Sequence, residues 1–182
     1  LLDVFSIEER LGDDWKNRRI LICGDILHSR VAHSNMWLLK TLGAEVFVSG
    51  PKALIPNNLD DYEATYIKNI DTILGDVDAI NVLRIQTERQ EQEAQDAFQS
   101  QQDTQTRYPY LNKAYYKEHF GITKNRLNAC KDHVLILHPG PVNRGVEIDL
   151  DVMKSPRSII LKQVENGPIM RMACLEHCLL ET

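Results

Sequence analysis

The sequence lacks the basic excess that binding to nucleic acids requires. It carries 21 lysines and arginines against 26 aspartates and glutamates, which gives a formal net charge of −5 at pH 7. A general nucleic-acid binder or a binder of anionic membranes needs a basic surface, so the sequence argues against both partner classes. The sequence also contains no apolar run near the roughly 20 residues that span a bilayer. The N-terminal stretch LLDVFSIEERLGDDW mixes acidic with apolar residues, so we expect no signal peptide.

Cysteine is scarce, and the few cysteines have no disulfide-framework spacing. The four are Cys23, Cys130, Cys174 and Cys178. Reduced thiols are the expected state, and they favour a cytoplasmic protein. Cys174 and Cys178 lie beside His177 on a predicted helix, but no second Cys/His pair completes a tetrahedral zinc site. We therefore predict core cysteines and no metal.

Glycine is also rare where a dinucleotide cofactor would need it. Only one glycine follows the first predicted strand, in CGDILHSR. A dinucleotide site needs G-x-G-x-x-G there, because the second glycine lets the backbone approach the pyrophosphate. The sequence therefore predicts no cofactor of this kind.

Apolar runs alternating with helical patterns indicate an α/β fold with a doubly wound parallel sheet. The predicted strands are RRILICGD, EVFVSGP, DAINVLR and HVLILH. SRVAHSNMWLLKTLGA is a predicted helix that stops at Gly43, and NIDTILGDV is a shorter one. The last third, SPRSIILKQVENGPIMRMACLEHCLL, predicts two helices broken at NGP. Strands buried on both faces with helices between them are typical of such sheets, and 182 residues suit one domain.

Polar residues gather at the carboxyl ends of the predicted strands, where ligands bind in such sheets. The residues after the first strand are Gly24, Asp25, His28, Ser29 and Arg30. Those after the third strand are Arg84, Gln86, Glu88 and Arg89. Those after the fourth strand are His138, Pro139, Gly140, Pro141, Asn143, Arg144 and Glu147. Arginine suits a planar, bidentate grip on carboxylate or phosphate. Arg30 and Arg84 converging at this edge would suit a dicarboxylate, and two unrelated solvated arginines are the alternative. His28 and His33 are predicted to be polar residues at a helix start, because neither has a partner at ligand spacing.

A glutamine-rich segment interrupts this pattern. Eight of the nine glutamines lie between Gln86 and Gln105. So little apolar surface predicts a solvated helix or a mobile loop, and residues 90–110 are predicted to be an insertion within the domain. We expect the stretch from Gln90 to Gln105 to be poorly ordered or to make few contacts with the core. Two interpretations of this segment are kept as alternatives: a tolerated insertion, and a lid over the site.

Three motifs in order, GDILHSRVAHSN, LRIQTER and HPGPVNRGVEI, resemble the second half of the aspartate carbamoyltransferases. The resemblance covers almost the whole chain except the glutamine-rich segment. It implies that residues 1–182 form the Rossmann-like C-terminal domain that binds L-aspartate. Arg30 and Arg84 would grip the two carboxylates of aspartate, with Gln86 assisting and Glu88 orienting Arg84.

The loop HPGP carries the rest of the implied site. Gly140 and Pro141 would lie where backbone carbonyls meet the carbamoyl group of carbamoyl phosphate and the attacking amine. Prolines stiffen such a loop by fixing φ, and glycine leaves room for a ligand. The resemblance also implies a cis bond before Pro141. No residue of general acid or base type is identified.

The implied reaction transfers the carbamoyl group of carbamoyl phosphate to L-aspartate, giving N-carbamoyl-L-aspartate and phosphate in de novo pyrimidine (UMP) biosynthesis. A cytoplasmic homotrimer without a cofactor or metal is expected; regulatory or dihydroorotase partners stay open. An ornithine carbamoyltransferase, which would carry a Cys in an HCLP version of the loop, is one alternative. A non-catalytic carbamoyltransferase-like binding domain is the other.

The family's STRT-type phosphate motif and its HPTQ segment are absent from the sequence. The apolar start LLDVFSI also looks like the end of a longer helix. We therefore expect a fragment without the N-terminal carbamoyl-phosphate domain, inactive by itself.

Overall fold

A five-stranded parallel sheet forms the centre of the molecule. The structure is a computed structural model that describes residues 1–85 and 112–180. The strands are β1 (Arg19–Cys23), β2 (Glu45–Ser49), β3 (Ala64–Tyr66), β4 (Ala79–Val82) and β5 (Leu135–Leu137). They pair in the order β3-β2-β1-β4-β5, and every pair is parallel. The predicted doubly wound α/β sheet is confirmed.

The sequence analysis missed β3. This strand has three residues, of which only Ala64 is buried. It lies at one end of the described strand order, beside β2. A strand this short and half exposed carries no continuous apolar run, which is the signal that predicted the other four.

Helices cover both faces of the sheet. They are α1 (Leu2–Leu11), α2 (Arg30–Leu42), α3 (Lys113–Phe120), α4 (Lys124–Ala129), α5 (Leu150–Met153) and α6 (Ile160–Leu180). Helix α2 begins after Ser29, whose side chain accepts a hydrogen bond from the Ala32 N–H, and it ends before Gly43 as predicted. The predicted helix NIDTILGDV is only a 3-10 turn, Ile70–Thr72. Asn69 accepts a hydrogen bond from the Asp71 N–H, and such local bonds compete with an α-helical start.

Alternate strand residues face two separate cores. On one face, Leu21, Ile80 and Ile136 pack with residues of α3 and α4, such as Tyr116 and Leu127. On the other face, a second set packs with α1 and α2; it includes Ile20, Ile22, Leu137, Val4, Ile7, Met36 and Leu39. Because both faces are covered, the strands are apolar throughout.

The predicted break at NGP is wrong, because α6 is one helix of 21 residues with Pro168 inside it. Proline removes one N–H from the helix ladder, but tertiary contacts hold the turn before it. Gln163 and Asn166 are buried there, and the Asn166 Nδ2 donates to Ser6 Oγ of α1 at 3.1 Å. These contacts fix the helical backbone on the N-terminal side of the proline.

The C-terminal half of α6 is exposed, so the prediction of core cysteines is wrong there. Cys174 is half-buried and Cys178 is exposed. The exposed apolar side chains of this helix are Leu161, Val164, Ile169, Met172, Leu175, Leu179 and Leu180. Within residues 1–85 and 112–180, no helix combines the length and hydropathy needed to cross a bilayer.

Candidate functional site

A cavity of about 520 Å³ opens at the carboxyl ends of β1, β4 and β5. Its lining includes Arg30, Arg84, Gly140 and Pro141. These are four of the six residues predicted for the site, and the fold brings them together from three separate stretches of the chain. The other two, Gln86 and Glu88, lie outside the described residues, as does the glutamine-rich segment.

The two arginines reach the cavity from different elements. Arg30 is the first residue of α2 and is exposed, while Arg84 follows β4 by two residues and is half-buried. The N-terminus of α2 adds a partial positive charge at the same place. This part of the cavity therefore favours an anionic group.

An aspartate–histidine pair lies on the wall of the same cavity. The Asp25 carboxylate is buried and accepts a hydrogen bond from the His28 N–H at 3.1 Å. The His28 ring nitrogen Nδ1 lies 3.0 Å from Asp25 Oδ1. His28 is therefore a polar residue just before the start of α2, as predicted, and its partner Asp25 lies three residues earlier in the same turn. The ring of His33 instead stacks on Tyr62, with centroids 5.9 Å apart.

The loop after β5 has the backbone that its sequence predicts. The Gly140–Pro141 peptide bond is cis, as the resemblance implied. Gly140 has φ +66°, a left-handed conformation that glycine adopts without the penalty of a Cβ. Gly140 and Pro141 are exposed at the cavity.

A second cavity, of about 720 Å³, adjoins the first. The two share Arg30, Val31, Pro139 and Gly140 in their linings. The start of α2 and the loop after β5 therefore face both spaces, which leaves room for a larger ligand or for two neighbouring ones.

A buried polar cluster behind the site was not predicted. Asp3 Oδ2 accepts hydrogen bonds from Asn35 Nδ2 at 2.6 Å and from Asn81 Nδ2 at 2.8 Å. Asp3 Oδ1 accepts from Gln163 Nε2 at 2.7 Å, and Gln163 Oε1 accepts from the His138 N–H at 3.0 Å. The cluster joins α1, α2, β4 and α6 to the start of the loop. In the sequence, the sign of this buried cluster was one aspartate within the apolar stretch LLDVFSI.

The buried thiols are unsuited to act as nucleophiles. Burial raises the pKa of Cys23 to about 12 and that of Cys130 to about 11, so both are protonated at neutral pH. In the part of the chain that the structure describes, no group of three or more histidines, cysteines or acidic residues is placed to hold a metal ion.

Comparison with known proteins places this chain in a family. Residues 16–178 match the model for the aspartate/ornithine carbamoyltransferase Asp/Orn binding domain. The aspartate carbamoyltransferase catalytic subunit of Gemmatimonas aurantiaca is 46% identical over 176 residues, which is 96% of this chain and 50% of that protein. The chain thus spans about half the length of the curated relatives it matches.

Solved structures share the fold. The ornithine carbamoyltransferase from Pyrococcus furiosus superposes with a TM-score of 0.76 at 24% identity, covering 96% of this chain and 53% of that one. The catalytic subunit of M. jannaschii aspartate transcarbamoylase gives a TM-score of 0.72 at 25% identity, covering 100% and 55%. With the family model matching most of its length, the chain belongs to the aspartate/ornithine carbamoyltransferase family.

Proposed function

We propose that the full-length protein containing this chain is an aspartate carbamoyltransferase and that residues 1–182 are its aspartate-binding domain. The observation that carries the proposal is the meeting of Arg30, Arg84 and the loop of Gly140 and Pro141 in one cavity. The name of the curated relative given above supports the same activity. The product would be N-carbamoyl-L-aspartate, an intermediate of pyrimidine (UMP) biosynthesis.

Two arginines suit L-aspartate better than ornithine. Each guanidinium can hold one carboxylate through two parallel hydrogen bonds, so Arg30 and Arg84 would bind the two carboxylates of one aspartate. The cationic side chain of ornithine would be repelled by the second arginine. In the same proposal, Gln86 assists in binding aspartate and Glu88 orients Arg84.

The loop would hold the reacting groups. The neutral amine of aspartate attacks the carbonyl carbon of carbamoyl phosphate, a C–N bond forms, and the C–O bond to phosphate breaks. Phosphate leaves with the electron pair, and the amine gives up one proton. Backbone carbonyls of the loop that contains Gly140 and Pro141 would accept hydrogen bonds from the NH groups of the two substrates. Orientation of this kind can lower a barrier by roughly 7–11 kcal/mol.

The remaining parts of the proposal concern the whole protein. Carbamoyl phosphate would bind mainly through a separate N-terminal domain that carries an STRT-type motif, and the active protein would be a homotrimer. The free thiols of Cys23, Cys130, Cys174 and Cys178 support a cytoplasmic location. Sedimentation of the full-length protein would measure its oligomeric state.

Substitution of Arg84 tests the proposal. In the full-length protein, Arg84→Ala should lower kcat/KM for aspartate at least about tenfold, because a charge-assisted hydrogen bond contributes about 1.5–3 kcal/mol. The matched control is Arg18→Ala, since Arg18 precedes β1 at the opposite edge of the sheet. Aspartate kinetics unchanged by Arg84→Ala would contradict the assignment, and wild-type turnover with ornithine in place of aspartate would contradict the substrate.

A further inference from the structure

The loop between β5 and α5 is supported from behind by two buried side chains. His138 and Glu147 have fully buried side chains, and their Nε2 and Oε1 atoms lie 3.2 Å apart. Burying a carboxylate is costly unless it is hydrogen-bonded. A buried acid directly beneath an exposed loop therefore needs a reason beyond packing.

The hydrogen bonds of His138 define its tautomer. The Gly140 N–H donates to His138 Nδ1 at 2.8 Å. Because a backbone N–H can only donate, Nδ1 must be the acceptor and carries no proton. The ring proton of the neutral imidazole is then on Nε2, where it donates to Glu147 Oε1.

Glu147 also ties the far end of the loop. Its Oε1 accepts a second hydrogen bond, from the Asn143 N–H at 2.7 Å. Asn143 Nδ2 in turn donates to the Ile85 carbonyl at 3.0 Å, directly after Arg84. One carboxylate oxygen thus connects both sides of the loop to the segment that carries Arg84.

The bond to His138 sets the direction of a carbonyl. The peptide between Pro139 and Gly140 is planar and trans, so its N–H and its C=O point in opposite directions. With the Gly140 N–H turned inward to His138, the Pro139 carbonyl is turned away from the ring. Pro139 is exposed and lines both cavities.

We propose that His138 and Glu147 are positioning residues for carbamoyl transfer: Glu147 fixes the imidazole as the Nε2–H tautomer, and the imidazole holds the loop so that its carbonyls meet the substrates. The inference rests on the proposed function. Neither side chain touches substrate, because both are fully buried. Their loss therefore affects orientation in the transition state more than the grip of the arginines on aspartate.

Two conservative variants of His138 separate positioning from packing. In His138→Asn, the side-chain oxygen lies near the position of Nδ1 and still accepts from Gly140. In His138→Gln, the amide nitrogen lies near the position of Nε2 and still donates to Glu147, but the acceptor for Gly140 is lost. Glu147→Gln, which keeps an acceptor oxygen, and Glu147→Leu, which does not, form a second pair.

Kinetics of the full-length protein give the first measurement. His138→Gln and Glu147→Leu should lower kcat about tenfold or more, with KM for aspartate changed less than about threefold. His138→Asn and Glu147→Gln should stay within about threefold of the wild-type kcat, because each keeps the acceptor. His119→Gln, at an exposed histidine of α3, is the matched control and should leave both parameters unchanged. Equal kcat in the Asn and Gln variants of His138 would overturn the proposal.

Hydrogen exchange gives the second measurement and needs no substrate. In the peptide covering residues 138–146, exchange should be faster in His138→Gln than in the wild type and unchanged in His138→Asn. Identical exchange rates in both variants would contradict the proposal that His138 anchors the loop. If the wild-type protein transfers no carbamoyl group, the proposed function fails, while the exchange result still decides whether His138 holds the loop. If His138→Gln does not fold, the Glu147 pair decides the question by the same two measurements.

Discussion

One buried acid, Asp3, connects several elements of the fold through its hydrogen bonds. Its two carboxylate oxygens accept three hydrogen bonds, from Asn35, Asn81 and Gln163, and all four residues are buried. All three partners are side-chain amides that donate through nitrogen. The site therefore requires a residue at position 3 that only accepts.

Replacing Asp3 by Asn should destabilise the protein by about 3 kcal/mol, because an NH₂ group would face amide donors in a buried place. Urea denaturation of the wild type and Asp3→Asn measures the difference. Asp13→Asn, at an exposed aspartate just after α1, is the control and should stay within about 0.5 kcal/mol of the wild type. Equal stability of Asp3→Asn and the wild type would show that the cluster tolerates a donor.

At the residue scale, the sequence predicted the exposed half of the site better than the buried half. Arg30 and Arg84 lie on the segments that follow β1 and β4, so the rule for parallel sheets places them together at one edge. Asp3 and Gln163 are 160 positions apart, and nothing local marks them as partners. His138 and Glu147 were recognised as strand-end residues, but their mutual contact depends on how the loop folds back.

At the scale of elements, Asp78 joins the amino ends of three strands. It accepts hydrogen bonds from the Arg19 N–H at 2.8 Å and from Lys131 Nζ at 2.7 Å, and His133 Nε2 lies 3.0 Å away. Burial alone would raise the pKa of Asp78. The hydrogen bonds from Arg19, Lys131 and His133 outweigh burial and lower this pKa.

A lowered pKa in the folded state makes the stability of the protein depend on pH. The contribution of Asp78 is fully present above the ordinary aspartate pKa of about 3.9 and is lost as the pH falls through the lower folded value. Asp78→Asn should therefore be about 1–3 kcal/mol less stable than the wild type at pH 7, with a smaller difference at pH 3. Denaturation at both pH values, with the exposed Asp132→Asn as control, measures this. A difference independent of pH would mean that the charge of Asp78 contributes nothing.

The elements that the sequence missed share a physical cause. β3 is three residues long and produces no periodic pattern. Over Ile70–Thr72 the pattern predicted a longer helix, but only a 3-10 turn forms, with local side-chain hydrogen bonds to Asn69. α6 shows the opposite case. The local preference of proline for a break was overridden by buried contacts between α6 and α1, which local sequence does not reveal.

At the scale of the whole molecule, the proposed site lies at one edge of the sheet. Both cavities are lined by the start of α2 and by the loop after β5. The curated relatives are about twice as long as this chain. In the proposed enzyme the remaining half supplies the grip on carbamoyl phosphate.

Purified by itself, the 182-residue chain should show no turnover with carbamoyl phosphate and aspartate. Its sequence contains no STRT-type motif, and helix N-termini of that kind hold phosphate in the family that it resembles. A colour assay for carbamoyl-aspartate, with the full-length protein as control, measures turnover. Activity of the chain alone within tenfold of the control would contradict this division of the site.

The contacts between α1 and α6 also set an order of events during synthesis. Asp3 and Ser6 bond to Gln163 and Asn166, partners that are 160 residues later in the chain. A ribosome adds about 5–20 residues per second, so about 8–30 s separate the appearance of the two partners. Throughout that interval, the surface of α1 that α6 later covers has no partner from α6. The strands between the two helices are already available to pair. Among the helices that the structure describes, α1 comes first in the sequence and is thus among the last to reach its final packing.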